Sequence, residues 1–253
     1  MKRLIVLFLL LFAAAAHAAD EPPGIQDNSF LVEEAYNQDP GVVQHITVFQ
    51  RSVKGNEWVA SFTQEWPAPN LQHQLSYSLS LQQADGRRGI GDIALNYRYQ
   101  LVGDADARVA VAPRLTVLLP TGNERRGFGA GGAGIQVMLP VSTVLTPKLV
   151  AHWNAGATVT PSKDARAWTA ANSFVWLAHP RFNALVETVW TRSGTKGVYE
   201  NDLVVSPGIR WSYNYSSGLQ IVPGVAVPLP VGPHHGDRSV LLYLSFEHPF
   251  RKS

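Results

Sequence analysis

Leu71-Gln72-His73-Gln74-Leu75-Ser76-Tyr77-Ser78-Leu79-Ser80-Leu81 is the stretch whose reading decides the fold. Leu71, His73, Leu75, Tyr77, Leu79 and Leu81 fall on one face, and Gln72, Gln74, Ser76, Ser78 and Ser80 on the other. After the turn-rich Gln82 to Gly89, Ile93, Leu95, Tyr97, Tyr99 and Leu101 alternate with Asp92, Ala94, Asn96, Arg98 and Gln100. A side-chain period of two means extended strand, and two such runs around a polar connection predict an antiparallel hairpin. Each run is about eleven residues long, the length a tilted strand needs to cross a bilayer. A half-exposed sheet in a soluble protein has the same pattern, so the rest of the chain must say which solvent the apolar face meets.

The chain of 253 residues opens with Lys2 and Arg3, the apolar run Leu4 to Phe12, and alanines ending in Ala16-His17-Ala18. A positive start, a short apolar run and a small-x-small site predict a cleaved secretory signal peptide over residues 1–18. The apolar run is too short for a membrane anchor helix. The chain has no cysteine, so a secreted form has neither disulfide staples nor thiolate chemistry. A formal net charge of +2 gives no nucleic-acid footprint. Residues 19–41 are irregular and polar, with Pro22-Pro23-Gly24 and the pair Glu33-Glu34; they read either as a periplasmic lead-in or as a segment tucked into a pore.

Extended segments then recur at roughly 42–52, 56–66, 71–81, 89–101, 107–119, 131–141, 145–158, 166–178, 181–193, 201–213, 217–229 and 238–250. Twelve is an even number, as a single-chain bacterial outer-membrane barrel requires when both ends lie on one side. Short connections are expected at Pro67 to Asn70, Val102 to Asp106, Ser142 to Val144, His179-Pro180 and Asn214 to Ser216. Longer ones are expected at Gln82 to Arg88, Pro120 to Ala130, Val159 to Ala165, Ser193 to Glu200 and Pro230 to Asp237, with Val53 to Gly55 an exception. Short turns on one side and long loops on the other belong to a transmembrane barrel. Trp58, Trp66, Tyr97, Tyr99, Trp153, Trp168, Trp176, Trp190 and Trp211 fall on apolar faces, many near segment ends, where amphipathic rings favour the headgroup level. In the last segment Val240, Leu242, Leu244 and Phe246 face outward. Phe250 then resembles the aromatic end of the signal read by the barrel-insertion machinery, three residues before the terminus. Closure follows from energetics, because an open sheet edge in hydrocarbon leaves backbone groups unpaired.

With the polar faces turned inward, the predicted lumen-lining residues include Asp92, Arg98, Arg114, His152, Glu187 and Arg210, together with Glu65, Asn96, Asn154, Asp202 and Glu247. Arg98, Arg114, His152 and Glu187 lie mid-segment and are expected to approach one another at mid-height. Such a set serves either as a constriction that orients a polar or aromatic solute, or as a network of ion pairs that braces the barrel. Pro120 to Gly132 is glycine-rich but lacks the terminal Gly-Lys-Ser/Thr of a phosphate loop, and no helix pattern follows, so it reads as an external loop. Its Arg125 and Arg126 read either as contacts for anionic lipopolysaccharide or as solvated charges. A barrel lipase needs a serine in reach of a histidine, and His73 has none placed to partner it. His234-His235 lack metal-site spacing and acidic company. No enzyme activity, cofactor or metal is expected.

Asp27 to Gln38, then Pro40-Gly41-Val42-Val43-Gln44-His45-Ile46, resembles the N-terminal signature of outer-membrane, transporter-like proteins named for the "MetA-pathway of phenol degradation". Gly89-Ile90-Gly91-Asp92, Pro120-Thr121-Gly122, Glu187, Pro207-Gly208-Ile209-Arg210 and Pro223 to Pro228 follow in the family's order. The resemblance implies an outer-membrane barrel associated with passage of hydrophobic or aromatic compounds. The combined expectation is an all-β protein: a transmembrane antiparallel β-barrel of about 12 strands over 42–253, in the outer membrane of a Gram-negative bacterium, reached through the periplasm. Its expected partners are outer-membrane lipid and lipopolysaccharide, the insertion machinery and a small-molecule solute, with no nucleic acid. The expected function is a passive channel or transporter for small solutes, hydrophobic and aromatic ones included; the alternative is a plugged structural or envelope-interaction barrel.

Overall fold

The computed structural model describes residue 25, residues 28–232 and residues 237–250. The expected signal peptide, the first part of the 19–41 segment and His234-His235 lie outside the described residues. Sixteen strand segments form one sheet: β1 (Val42–Ser52), β2 (Trp58–Pro67), β3 (His73–Ala84), β4 (Arg87–Ile90), β5 (Ile93–Tyr99), β6 (Val109–Val111), β7 (Arg114–Leu119) and β8 (Gly134–Thr146) make up the first half. The second half is β9 (Leu149–Thr160), β10 (Ala165–His179), β11 (Phe182–Thr195), β12 (Val198–Trp211), β13 (Tyr213–Asn214), β14 (Gln220–Ala226), β15 (Leu229–Val231) and β16 (Ser239–Pro249). β4 runs on into β5, β6 into β7, β12 into β13 and β14 into β15, so the sixteen segments make twelve staves.

Every pairing is antiparallel, and β16 returns to β1 along its full length, from Val42 opposite Pro249 to Ser52 opposite Ser239. The sheet is therefore a closed barrel with no edge for hydrocarbon to meet. Expected and observed segments correspond one to one, and β1 has the expected bounds.

Burial along the staves is inverted relative to a soluble domain. Leu75, Leu79, Leu95, Leu115, Val137, Val186 and Leu244 are exposed, whereas Gln44, Gln74, Asn96, Thr116, Asn154 and Ser245 are buried. Period-two alternation thus puts aliphatic side chains on the outside and amides, hydroxyls and charges inside. Tyr97, Trp153, Trp168, Trp176 and Trp190 stand exposed on the outer wall. Three of them pair with neighbouring rings: Trp153 with Phe174 at 5.6 Å, Trp168 with Tyr199 at 5.4 Å and Tyr97 with His73 at 5.8 Å.

The connections depart from the expected segregation by length. Strand pairing continues through the polar residues at the tips: β3 runs to Ala84 and β11 to Thr195, leaving two-residue turns Asp85-Gly86 and Lys196-Gly197. Both residues of each turn have positive φ, at 50° and 72° and at 52° and 83°. That is the type I′ geometry that matches strand twist, and it needs a glycine at the second position. The polar ends read as loops because residues beyond the hydrocarbon need not be apolar, although they still pair. On the opposite side the turn expected at Ser142 to Val144 lies inside β8; the chain reverses at Pro147-Lys148 instead.

Residues 28–41 precede β1 and take part in no ladder pairing among the described residues. Phe30, Val32, Ala35 and Tyr36 are nevertheless buried, as are the polar Asn28, Ser29, Glu34 and Gln38. This segment runs through the barrel interior.

Candidate functional site

The interior of the barrel is a site made of side chains from many staves that converge on the backbone of residues 28–38. A backbone stretch withdrawn from water must find partners for each N–H and C=O. Here wall side chains supply them in place of a neighbouring strand. Leu31 N and Val32 N donate to Glu187 Oε1 at 2.7 and 3.0 Å. Glu33 N donates to Asn154 Oδ1 at 2.8 Å, and Asn154 Nδ2 returns a bond to Glu33 O at 2.9 Å. Ala35 N donates to Ser142 Oγ, Asn37 N to Gln100 Oε1 and Gln38 N to Gln74 Oε1, at 2.8, 3.0 and 2.8 Å. Gln100 Nε2 donates to Ala35 O, Arg98 Nη1 to Tyr36 O and Arg210 Nη1 to Asn28 O.

The charges follow the same plan. Glu33 of the segment lies between two wall arginines: Arg98 Nη2 is 3.1 Å from its Oε2 and Arg114 Nη1 is 2.7 Å from its Oε1. Arg98 is almost fully buried, so its charge depends on such partners. Arg114 also donates to Gln136 Oε1 at 2.7 Å. Glu187, fully buried, feels the positive field of Arg210 in addition to its two backbone donors. Ser142 Oγ accepts from Ala35 N and lies within hydrogen-bond distance of His152 Nδ1, at 2.7 Å.

Packing adds a hydrophobic anchor. The ring of Phe30 lies on Gly208 of β12 and Gly224 of β14, where an added Cβ would come within 2.6 and 2.5 Å of ring carbons. Phe30 also meets Tyr243 of β16 at 5.1 Å between centroids. The two glycines thus form a notch in the inner wall that no other residue leaves open.

Of the six predicted lumen-lining residues, Arg98, Arg114, His152, Glu187 and Arg210 are distributed around the segment, with Arg98 and Arg114 together at Glu33 and the others at separate points. They meet through residues 28–38 more than through one another: the partner of Arg98 and Arg114 is Glu33, which precedes the barrel. Asp92 sits apart from them, between β4 and β5, where its carboxylate accepts from Gly122 N at 2.9 Å and Ala130 N at 2.7 Å. It holds the loop between β7 and β8, whose Phe128 is fully buried against Gly89 of β4. Asp202 is exposed.

The predicted lumen-lining residues included the neutral Asn96 and Asn154 but left out other neutral members of the site. Gln44, Gln74, Gln100 and Ser142 are buried and hydrogen-bonded in the interior, and Gln38 Nε2 donates to Gln44 Oε1 at 2.6 Å. Their signal was inward parity in β1, β3 and β8. His73, considered as a catalytic histidine, lies on the outer face with Tyr97 Oη 2.7 Å from its Nδ1 and the ring of Tyr99 beside it. Among the described residues no group of three or more His, Cys, Asp or Glu side chains is arranged to hold a metal ion.

The barrel resembles solved outer-membrane structures in fold. An outer membrane channel from Pseudomonas putida F1 aligns with a TM-score of 0.60 at 14% identity, covering 84% of this chain and 97% of that one. The NanC porin aligns with a TM-score of 0.56 at 8% identity, covering 81% and 98%. Among curated protein sequences none matches. A family profile matches residues 22–228, which span both the interior segment and the barrel wall up to β14. The chain belongs to the family described as "Putative MetA-pathway of phenol degradation".

Proposed function

We propose that this protein is a passive channel for small hydrophobic or aromatic solutes in the outer membrane of a Gram-negative bacterium, and that residues 28–38 hold it closed. The observation that carries the reading is the way the segment is held. Its backbone is bound by side chains alone, with no ladder pairing to the wall among the described residues. A segment fixed in this way can withdraw without breaking a strand pair, and the wall it leaves is polar and hydrogen-bonding, as a solute path is. The solute class rests on the family description, on the likeness to channels, and on the apolar and aromatic groups that line the interior beside the segment.

The same network favours a second reading, a barrel permanently filled and used for structure or envelope contacts. Liposome swelling separates the two. The mature chain and a variant lacking residues 19–38 are refolded into vesicles and offered small sugars and phenol-sized aromatics. The channel reading expects slow or no swelling with the mature chain, faster swelling with the deletion variant, and a preference for the aromatics. If the deletion variant is folded and passes neither solute, the lumen is blocked by more than the segment and the structural reading replaces the channel.

A further inference from the structure

Arg98 of β5 and Arg114 of β7 stand directly opposite each other in the ladder, with both side chains turned into the barrel. Like charges at facing positions of neighbouring strands repel, and each is costly to hold away from water without an acid. That acid is Glu33 of the interior segment, which gives one carboxylate oxygen to each guanidinium, at 3.1 and 2.7 Å. The arginines belong to the wall, whereas the carboxylate belongs to a segment with no ladder pairing to it among the described residues. The carboxylate therefore sits in the wall as a bound ligand does.

It is also the replaceable part of the site. The main chain of Glu33 is placed by Asn154 on both its N–H and its C=O, so its position does not depend on the side chain. The side chains of Glu33 and Arg114 keep 23% and 17% of their surface exposed, against 3% for Arg98, so the pair is approached from the Arg114 side. Glu33 is the one ion-pair partner of Arg114 among the described residues, whereas Arg98 also feels Glu65 and Glu34.

We infer that Arg98 and Arg114 form a receptor for small carboxylate anions, filled in the closed barrel by the chain's own Glu33, and that a solute carboxylate taking its place unfastens residues 28–38. The inference rests on the channel reading for that consequence. Glu33 itself defines the ligand: one negative group with two oxygens, one for each guanidinium. A neutral solute offers no such group, and a spherical anion offers no second oxygen. Exchange of one carboxylate for another leaves the charge of the site unchanged, so no arginine is stranded. Because Glu33 is tethered beside the pair, its effective concentration is on the order of millimolar or above, and a free carboxylate must compete with it.

The test is equilibrium binding of acetate to the refolded mature protein in detergent at neutral pH, with acetamide as the neutral isostere. Glu33→Gln removes the resident competitor and should bind acetate about tenfold more tightly than the native protein, a gain that loss of a mere brace does not give. Adding Arg114→Gln to Glu33→Gln should abolish acetate binding; Arg98 keeps Glu65 and Glu34 beside it, and heat-modifiable gel mobility verifies a folded barrel. In planar bilayers, replacing chloride with acetate at equal ionic strength should raise the opening frequency of the native protein and leave that of Glu33→Gln unchanged. Several results overturn the receptor: equal acetate affinity in native and Glu33→Gln proteins, no binding by Glu33→Gln, binding retained in the folded double variant, or acetamide binding as tightly as acetate. Native openings that acetate does not alter overturn the displacement. Failure of the receptor and failure of the channel are distinguishable. Swelling with the 19–38 deletion variant, without tighter acetate binding by Glu33→Gln, leaves the channel standing and removes the receptor. Tighter acetate binding without swelling does the reverse.

Discussion

Two parts of the chain pack on the wall without joining its ladder, the segment 28–38 inside the barrel and the loop between β7 and β8 at one rim, and they are fastened on different scales. Each places one buried phenylalanine on glycine: Phe30 on Gly208 and Gly224, Phe128 on Gly89. Each also uses a carboxylate to bind two backbone N–H groups, Glu187 for residues 31 and 32, Asp92 for residues 122 and 130. The loop between β7 and β8 has those anchors at one rim and a contact from Glu124 to Lys163, at 2.6 Å, in the next loop. The segment 28–38 is bound by side chains of β3, β8, β9, β11 and β12 and by Arg98 of β5. Because each buried group that loses its partner is costly, the segment is the more firmly held of the two, and in the proposed channel it is the principal barrier and the loop a local cover.

This difference can be broken most directly at Phe30. Phe30→Ala empties the notch, and large-to-small changes of buried aromatics cost about 3–5 kcal/mol. If that cost falls on docking of the segment, swelling rates or single-channel openings should rise on the order of 10²- to 10³-fold. An unchanged closed state would mean that the polar network alone holds the segment. Glu33→Gln should act in the same direction but less, since it leaves Arg98 and Arg114 without their carboxylate. The loss of charged hydrogen bonds is about 1.5–3 kcal/mol, and the readout is again the frequency of opening.

Phe128→Ala is expected to leave permeation of the full chain unchanged, while protease cleavage within residues 120–133 accelerates. Increased permeation from this change alone would promote the loop to a second gate. A smaller effect is expected at the same rim. Asp237 accepts from Ser52 Oγ at 2.5 Å and from the amides of Lys54 and Gly55. The Ser52 hydroxyl, followed by those amides, holds its carboxyl below the usual aspartate range. A lowered folded value means that this anchor is fully present above the ordinary carboxylate pKa and is lost as pH falls through the lowered one. The amide resonance of Gly55 should therefore titrate with a midpoint below that of a free aspartate, and Ser52→Ala should move the midpoint upward. A midpoint already at the ordinary value would remove the anchor.

The wall was readable from the sequence because it obeys a local rule. Leu75, Tyr77 and Leu79 alternate with Ser76 and Ser78 whatever the rest of the chain does, and the length of such runs is set by the bilayer. Strand ends were less readable, since Gln82, Gln83 and Glu200 sit in paired strands outside the reach of any hydrophobic requirement. The conformation of residues 28–38 has no local rule at all. It is irregular in sequence because its shape is dictated by Gln74, Gln100, Ser142, Asn154 and Glu187, which lie from 36 to 156 residues away in the chain. Inward parity put Arg98, Arg114, His152, Glu187 and Arg210 on inner faces, yet the partner that Arg98 and Arg114 share, Glu33, lies outside the barrel sequence and could be found only in three dimensions.

The dispersed origin of those partners has a consequence for assembly. Glu187, Asn154, Ser142 and Gln74 face residues 28–38 together only in a closed barrel with every hairpin in register, because a slip of one residue turns a stave's inward side chains to lipid. Residues 28–38 precede every strand in the chain, yet the side chains that hold them come from staves as late as β12. Occupancy of the interior by this segment therefore reports on the register of the wall around it. A mispaired barrel would present an incomplete set of partners and hold residues 28–38 less firmly.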